Sequence, residues 1–169
     1  KAEYLLIAGT ATNGEAVLLW IDQENNHSWK VLDGDYRLGL LSAGFSRIQL
    51  NEVSASNNNI LASGIDAETW MNEAMSRVRT LEAAKEIGVM AAALDYTVEY
   101  TSQRKAFGVE IAKFQGVSFN LAQMAIQTGA ARHLVLYAAK QIDEGESDAV
   151  FHSIQALKKA HQSLRYVTD

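Results

Sequence analysis

A long helical repeat of apolar residues, which begins near residue 67, is the feature that most constrains the fold of this chain. Over about 67–102 the apolar residues recur every three or four positions, and this spacing places them on one face of a helix. At 1.5 Å per residue such a helix is roughly 54 Å long. The 169-residue chain contains no proline, which favours long uninterrupted helices. The predicted stripe consists of Met71, Met75, Val78, Leu81, Ala84, Ile87, Ala91, Leu94 and Val98.

Two more helices with the same periodicity follow the first. Gly145 is suited to end the second helix in a left-handed cap, and Ser147 is suited to begin the third, with Asp148 in its first turn. Because the connection is short, these two helices are expected to form an antiparallel hairpin. Three long helices with narrow apolar stripes predict a bundle that further helices complete. The second stripe consists of Val117, Leu121, Met124, Thr128, Ala131, Val135, Ala138 and Ile142, and the third of Val150, Ile154, Leu157, His161 and Leu164.

The first 65 residues have a different character, because short β-rich runs alternate there with turns. Asn13-Gly14 tolerates positive φ and predicts a hairpin, Asp33–Asp35 predicts a second turn, and Asn57–Asn59 reads as a polar loop. The sequence therefore predicts an α+β fold, in which an antiparallel β-sheet segment over 1–66 precedes a long-helix up-down bundle over 67–169. The predicted strands cover residues 4–9, 16–21, 29–32 and 45–50.

Composition argues against several functional classes. The formal net charge of −5 is unsuited to general affinity for a phosphate backbone, so no nucleic-acid partner is expected. The absence of cysteine excludes disulfides and a thiolate nucleophile, and it fits a cytoplasmic location. The sequence contains no apolar run of about 18 residues, so no membrane span is predicted. The four histidines lack the spacing of metal ligands, so no metal site is expected, and His161 on an apolar stripe reads as a partly buried, hydrogen-bonded residue.

The stretch SQRKAFGVEIAKFQ, residues 102–115, interrupts the helical pattern with polar, aromatic and glycine residues. Arg104 offers a fixed fork of donors suited to a pyrophosphate, and Phe107 offers an aromatic surface for a planar ring. Gly108 allows a sharp turn or a close backbone approach, and Gln115 can both donate and accept hydrogen bonds. From the residues alone, two interpretations stay open: a simple connection between helices, or a binding site.

The pattern R-x-x-F-G-x-x-I-x-x-F-Q over 104–115 resembles that of the acyl-CoA dehydrogenase family. The residues that follow it, Phe119, Leu121-Ala122, Met124 and Ala130–Arg132, also look like that family, as does Arg79 upstream. The resemblance implies that residues 1–66 are the later part of a middle β-domain and that 67–169 are most of a C-terminal helical bundle.

The resemblance also implies an activity, a cofactor and partners. Members bind FAD, oxidise acyl-CoA thioesters to 2-enoyl-CoA in the catabolism of fatty acids or related acyl groups, and pass electrons to an electron-transfer flavoprotein. The usual assembly is a homotetramer built as a dimer of dimers. The chain is accordingly expected to be part of an oxidoreductase of this kind.

Site residues follow from the resemblance position by position. Arg104, Phe107, Gly108 and Gln115 are expected to contact the adenine dinucleotide half of the FAD held mainly by a neighbouring subunit. Arg79 is expected near the thioester and CoA end of the substrate. Two positions depart from the family pattern: Ser76 stands where an acidic residue is common, and Ala106 stands where a hydroxyl or amide side chain is common. Ser76 is kept as a substrate-site candidate whose polar contact to CoA is in question.

The catalytic base is the main gap in the resemblance. In most members it is a glutamate after the third bundle helix, which would lie beyond Asp169, and a minority place it near Arg79, where Ser76, Arg77 and Val78 are not carboxylates. The chain is therefore expected to be a fragment that is inactive alone. Two alternatives stay open: a non-catalytic subunit that completes a partner's FAD site or serves assembly, and a relative with altered chemistry, either an acyl-CoA oxidase or a flavin monooxygenase.

Overall fold

The computed structural model describes residues 3–22, 29–32 and 46–169, and the chain divides into two compact units, Lys1–Met71 and Asn72–Asp169. The boundary between the units falls inside the first long helix rather than before it. The predicted turn at 33–35 lies outside the described residues. Of the helices in the described part of the chain, none has an apolar stretch long enough to cross a membrane.

Two small antiparallel sheets form the described strands of the first unit. β1 (Tyr4–Thr10) pairs with β2 (Ala16–Asp22), and β2 also pairs with β5 (Ile60–Ser63). β3 (Trp29–Leu32) pairs with β4 (Arg47–Leu50) in the second sheet. The predicted hairpin between the first two strands is thus confirmed.

Local hydrogen bonds explain how the connections in this unit form. In the β1–β2 loop Gly14 adopts a φ of 88°, and the amide of Ala11 donates to the Glu15 carbonyl at 2.8 Å. Asn57–Asn59, which the sequence predicts as a polar loop, forms a short 3-10 turn. The Asn59 side chain donates to the Trp20 carbonyl at 3.1 Å, which fixes this turn against β2.

Three helices account for most of the rest of the chain: α1 (Gly64–Gln103), α2 (Gln115–Asp143) and α3 (Ala149–Thr168). Gly145 has a φ of 68°, so the predicted left-handed cap of α2 is confirmed. The prediction that Ser147 begins α3 is wrong by one residue. A turn closed by the Ala149 amide and the Glu146 carbonyl at 3.1 Å includes Ser147, and Asp148 takes the cap position.

The core of the second unit lies where α1, α2 and α3 meet. The stripe predicted for α2 is confirmed, since Met124, Thr128, Ala131, Val135 and Ala138 are all buried. The stripe predicted for α3 is displaced, because the fully buried positions are mostly small residues, while Leu157 and Leu164 of the predicted stripe pack against the core but stay partly exposed. The buried residues of α3 are Ser153, Ala156, Ala160, Ser163 and Val167.

The stripe predicted for α1 is wrong over much of its length. Leu81 is 70% exposed, and the face that packs into the bundle is a neighbouring one that carries hydroxyl residues. Ser76 and Thr80 satisfy their hydroxyls on helix carbonyls one turn earlier, at 2.8 and 2.9 Å. Such back-bonded hydroxyls can be buried without an outside partner, which a search for apolar residues overlooks. The buried residues of this face include Ser76, Thr80, Ala83, Glu86, Ile87 and Met90.

Candidate functional site

The connection between α1 and α2 is a tight β-hairpin, which we call the hairpin corner (residues 104–115). Its strands are β6 (Lys105–Ala106) and β7 (Val109–Glu110), which pair antiparallel and leave two residues in the turn. Those two, Phe107 and Gly108, have φ values of 55° and 84°. Positive φ at both central positions is the signature of a type I′ turn, whose twist matches that of the strands.

Phe107 stands at the tip of this hairpin. Its side chain is 97% exposed, and its ring meets Phe114 edge-on with centroids 6.5 Å apart. A residue other than glycine held at positive φ costs about 1–2 kcal/mol, whereas Gly108 meets no such penalty. An exposed aromatic ring kept in a strained conformation is typical of a contact surface rather than of a core.

Charged side chains around the hairpin corner are unevenly paired. Glu110 accepts a hydrogen bond from Lys113 at 2.6 Å and lies 3.7 Å from Lys105. The hydrogen bond from Lys113, followed by the backbone hydrogen bond and the charges of the two lysines, lowers the pKa of Glu110 to about 2. The carboxylate is therefore ionised at neutral pH, and both lysines face an opposite charge.

Arg104 is exposed, and among the described residues its charge is not paired as the charges of the two lysines are. Its backbone amide donates to the Tyr100 carbonyl at 2.9 Å, and its carbonyl accepts from Ile111 at 2.8 Å, so its main chain is fixed at both ends. Its guanidinium makes no ion pair or hydrogen bond with any residue in the described part of the chain. Within the part of the chain that the structure describes, the hairpin corner therefore presents a guanidinium without a partner on a hydrogen-bonded main chain.

The start of α2 adds unpaired backbone donors to the hairpin corner. Phe114 occupies the cap position without a side-chain cap, and its carbonyl accepts from Val117 at 2.9 Å and Ser118 at 3.0 Å. Within the described ranges, the amides of Gln115 and Gly116 have no hydrogen-bond partner, and both residues are exposed. Free amides at a helix start carry partial positive charge and favour anions.

The second predicted site lies far along α1 from the hairpin corner. Arg79 precedes Arg104 by 25 residues, which corresponds to about 37 Å along a helix. Ser76 is buried, and its hydroxyl donates to the Asn72 carbonyl at 2.8 Å. The Nη1 atom of Arg79 is also buried and has no partner among the residues that the structure describes. The structure thus keeps the two predicted sites apart.

A groove of about 320 Å³ in the helical unit has Arg79 in its lining. Next to α3, the buried Glu86 contacts the Nδ1 atom of His161, and its second carboxylate oxygen has no partner among the described residues. The side chain of His161 has the carboxylate of Glu86 as a partner, but at 60% exposure it is less buried than expected. Sequence reasoning missed Glu86, although its helical phase with Ala83 and Met90 could have placed it on the buried face. The groove is lined by Arg79, Ile154, Leu157, Lys158, His161 and Gln162.

Comparison with known proteins gives the family. The family model described as acyl-CoA dehydrogenase, C-terminal domain, matches residues 68–165. An acyl-CoA dehydrogenase of Bacillus subtilis (strain 168) is 31% identical over 144 residues, which are 84% of this chain and 38% of that protein. The caffeyl-CoA reductase–Etf complex subunit CarC of Acetobacterium woodii is 33% identical over 138 residues, which are 80% of this chain and 34% of that protein.

A solved structure supports the fold independently. Butyryl-CoA dehydrogenase from Megasphaera elsdenii superimposes with a TM-score of 0.80 at 24% identity, over 96% of this chain and 43% of that one. The predicted α+β fold with a helical bundle is confirmed, and the chain spans less than half the length of these relatives. This chain belongs to the acyl-CoA dehydrogenase family.

Proposed function

We propose that the protein is an FAD-dependent acyl-CoA dehydrogenase, which oxidises an acyl-CoA thioester to the 2-enoyl-CoA in fatty-acid or related acyl catabolism. Within it, the hairpin corner contacts the adenine dinucleotide half of an FAD held mainly by a neighbouring subunit. The observation that carries this proposal is the Arg104 guanidinium, which has no partner among the described residues and stands in the same hairpin corner as the exposed ring of Phe107. Both side chains stand on a main chain that hydrogen bonds fix.

The charges of the hairpin corner fit a diphosphate. Lys105 and Lys113 face Glu110, so, judged by the ion pairs among the described residues, Arg104 is the cation of the hairpin corner that can bind an anion without first breaking an ion pair. A guanidinium binds phosphate oxygens through two parallel hydrogen bonds, which gives orientation as well as affinity. The free amides of Gln115 and Gly116 add two donors at the start of α2.

The aromatic and amide groups fit the rest of the dinucleotide. The ring of Phe107 offers a planar apolar face to adenine, and stacking on an aromatic side chain tolerates any base. Gly108 reaches a φ of 84° without strain, which lets the main chain turn beside the cofactor. Gln115 can donate to and accept from a ribose, a ribityl chain or a base edge.

FAD supplies the hydride acceptor of the reaction when it is bound, and the residues of this chain bind and orient its dinucleotide end. For the substrate, we propose Arg79 at the thioester and CoA end, because Arg79 lines the groove and its buried Nη1 atom has no partner among the described residues. The Ser76 hydroxyl already donates to the Asn72 carbonyl. We therefore propose that Ser76, in the turn of α1 before Arg79, helps to position the Arg79 side chain.

The base that removes the α-proton is proposed to lie outside residues 1–169. Of the carboxylates near Arg79 on α1, Glu73 lies 3.9 Å from Arg77, Glu82 lies 2.5 Å from Lys85, and the buried Glu86 contacts His161. On this proposal the 169-residue chain alone does not turn over acyl-CoA. Flavin-dependent reduction of an acceptor dye by the purified chain with acyl-CoA would contradict it.

Partners and location are part of the same proposal. An electron-transfer flavoprotein is proposed as the electron acceptor, and the relative whose name places it in an Etf complex supports this choice. A homotetramer, built as a dimer of dimers in the cytoplasm, is proposed as the assembly. Met75, Val78 and Leu81 expose apolar side chains on α1. These side chains could pack against further elements of the assembly, which supports the proposal.

Replacing Arg104 tests the cofactor role. In the full-length protein, Arg104→Ala is expected to weaken FAD binding by about 1.5–3 kcal/mol, because a charge-assisted hydrogen bond to phosphate is removed. Arg77→Ala is the matched control, since Arg77 is an exposed arginine of α1 that pairs with Glu73. Equal FAD affinity in the two purified variants would contradict the assignment of the hairpin corner.

A further inference from the structure

The two strands of the hairpin corner are very short. β6 and β7 are two residues long; Lys105 pairs with Glu110 and Ala106 with Val109, and the Ile111 amide adds one hydrogen bond to the Arg104 carbonyl. Isolated two-stranded hairpins of any length are marginal in water. The tip also includes Phe107 at a φ of 55°, which opposes the folded turn. Side-chain contacts must therefore contribute to its stability.

Glu110 supplies such contacts from the middle of the hairpin corner. One carboxylate oxygen lies 3.7 Å from Lys105 Nζ on the opposite strand, and the other lies 2.6 Å from Lys113 Nζ in the 3-10 turn Ile111–Lys113. The glutamate side chain is 29% exposed, whereas both lysines extend into solvent. One partly buried anion thus ties both strands of the hairpin to the segment that leads into α2.

The same anion limits the positive charge of the hairpin corner. Arg104, Lys105 and Lys113 carry three positive charges and Glu110 one negative, so the formal sum over 104–115 is +2 rather than +3. Both lysines face Glu110, and the guanidinium does not take part in that cluster. A phosphate therefore binds to the planar donors of Arg104, because Lys105 and Lys113 are held by Glu110.

We propose that Glu110 is a positioning residue for the cofactor: it clamps Lys105 and Lys113, holds the hairpin in the shape that presents Arg104 and Phe107, and makes recognition of the diphosphate depend on geometry more than on total charge. This inference rests on the proposed function, because it concerns the same FAD contact. The pKa of about 2 keeps the clamp ionised throughout the neutral range.

The test compares Glu110→Gln with Glu144→Gln in the full-length protein. Glu144 also faces a lysine, Lys140 at 3.6 Å, but at the far end of α2. FAD is titrated into each apoprotein at about 0.05 M and about 0.5 M NaCl, between which the screening length falls severalfold. At the higher salt concentration, where both the Glu110 ion pairs and the attraction of the lysines for phosphate are screened in part, Glu110→Gln is expected to bind FAD about twofold more weakly than Glu144→Gln. Its affinity is also expected to fall more steeply with salt, because Lys105 and Lys113 are released.

A second measurement uses the apoprotein and needs no cofactor. The Ile111 amide donates to the Arg104 carbonyl and closes the hairpin, so its hydrogen exchange reports on the hairpin directly. Glu110→Gln is expected to speed that exchange about fivefold relative to Glu144→Gln. Equal exchange, equal FAD affinity at the higher salt concentration or an equal salt dependence in the two variants would each overturn the inference.

The Arg104→Ala variant separates the two possible failures. If it binds FAD as tightly as its control, the proposed function fails and this inference fails with it. If Arg104→Ala weakens FAD binding while Glu110→Gln behaves as Glu144→Gln does, the inference alone is overturned.

Discussion

Replacement of Phe107 should separate the stability of the apoprotein from its affinity for FAD. The side chain is 97% exposed, so removing the ring returns almost no buried apolar surface to water. Its ring packs edge-on against Phe114 at a centroid distance of 6.5 Å, and alanine cannot replace that interaction. Phe107→Ala is therefore expected to lower the free energy of unfolding by at most about 1 kcal/mol.

A glycine at the same position should be more stable than the alanine. Alanine keeps the strain of positive φ at this residue, about 1–2 kcal/mol, and glycine relieves it. Because glycine gives the unfolded chain more conformational freedom, about 0.5–1 kcal/mol of this gain in unfolding free energy is lost. Phe107→Gly is therefore expected to exceed Phe107→Ala in unfolding free energy by up to about 1.5 kcal/mol, measured by urea denaturation.

Both variants lack the ring and should bind FAD more weakly. An aromatic side chain stacked on a base contributes about 1–3 kcal/mol, which corresponds to a rise of about 5- to 150-fold in Kd. Titration of FAD into apoprotein, followed by the quenching of flavin fluorescence, measures this change. The measurement requires the full-length protein, since the proposed site includes a neighbouring subunit.

Phe119→Ala provides the control, because Phe119 is an exposed phenylalanine of α2 outside the hairpin corner. It should change neither the unfolding free energy by more than about 1 kcal/mol nor the affinity for FAD. Two results would refute the reasoning. A decrease of more than about 2 kcal/mol in Phe107→Ala would make Phe107 a core residue, and FAD affinity equal to that of Phe119→Ala would remove its role at the cofactor.

Two further predictions concern the core and the clamp. Met90 is fully buried in the bundle, so Met90→Ala is expected to lower the unfolding free energy by about 2–5 kcal/mol. Val89 is exposed, so Val89→Ala should change it by less than about 1 kcal/mol. Similar urea midpoints for the two variants would contradict the described core. Because the pKa of Glu110 is lowered to about 2 in the folded state, its contribution to stability is complete above its unfolded-state pKa near 4.5 and is lost as pH falls toward 2. NMR titration of its carboxyl carbon should give that low midpoint and a higher one in Lys113→Met, and an ordinary midpoint in the parent protein would contradict the clamp.

The helices of this protein could be predicted from sequence because their periodicity is long and unbroken by proline. The faces that they bury were harder to predict. On α2 the buried face is also the apolar one, as Met124 and Val135 illustrate. On α1 the buried face includes Ser76 and Thr80, whose hydroxyls bond back to the helix, while Leu81 stays exposed. Hydropathy alone cannot identify a face of that kind.

The hairpin corner was predictable in position but not in geometry. The motif located Arg104 and Phe107 between two helices, and the family resemblance suggested a cofactor. The clamp was not predictable, because Glu110 meets Lys105 only once the register of β6 and β7 is known. The exposure of Phe107 likewise depends on the two-residue turn that places it at the tip.

The buried face of α3 has a consequence for how its sequence can vary. Ser153, Ala156, Ala160 and Ser163 are almost inaccessible to solvent, and they lie three, four and three residues apart along the chain. Small side chains let two helix backbones approach closely, and each added methylene there must push them apart. Exchange between alanine and serine should therefore be accepted more readily than growth to valine or leucine, although the latter are more hydrophobic. Along this helix, side-chain volume rather than polarity sets which substitutions the protein tolerates.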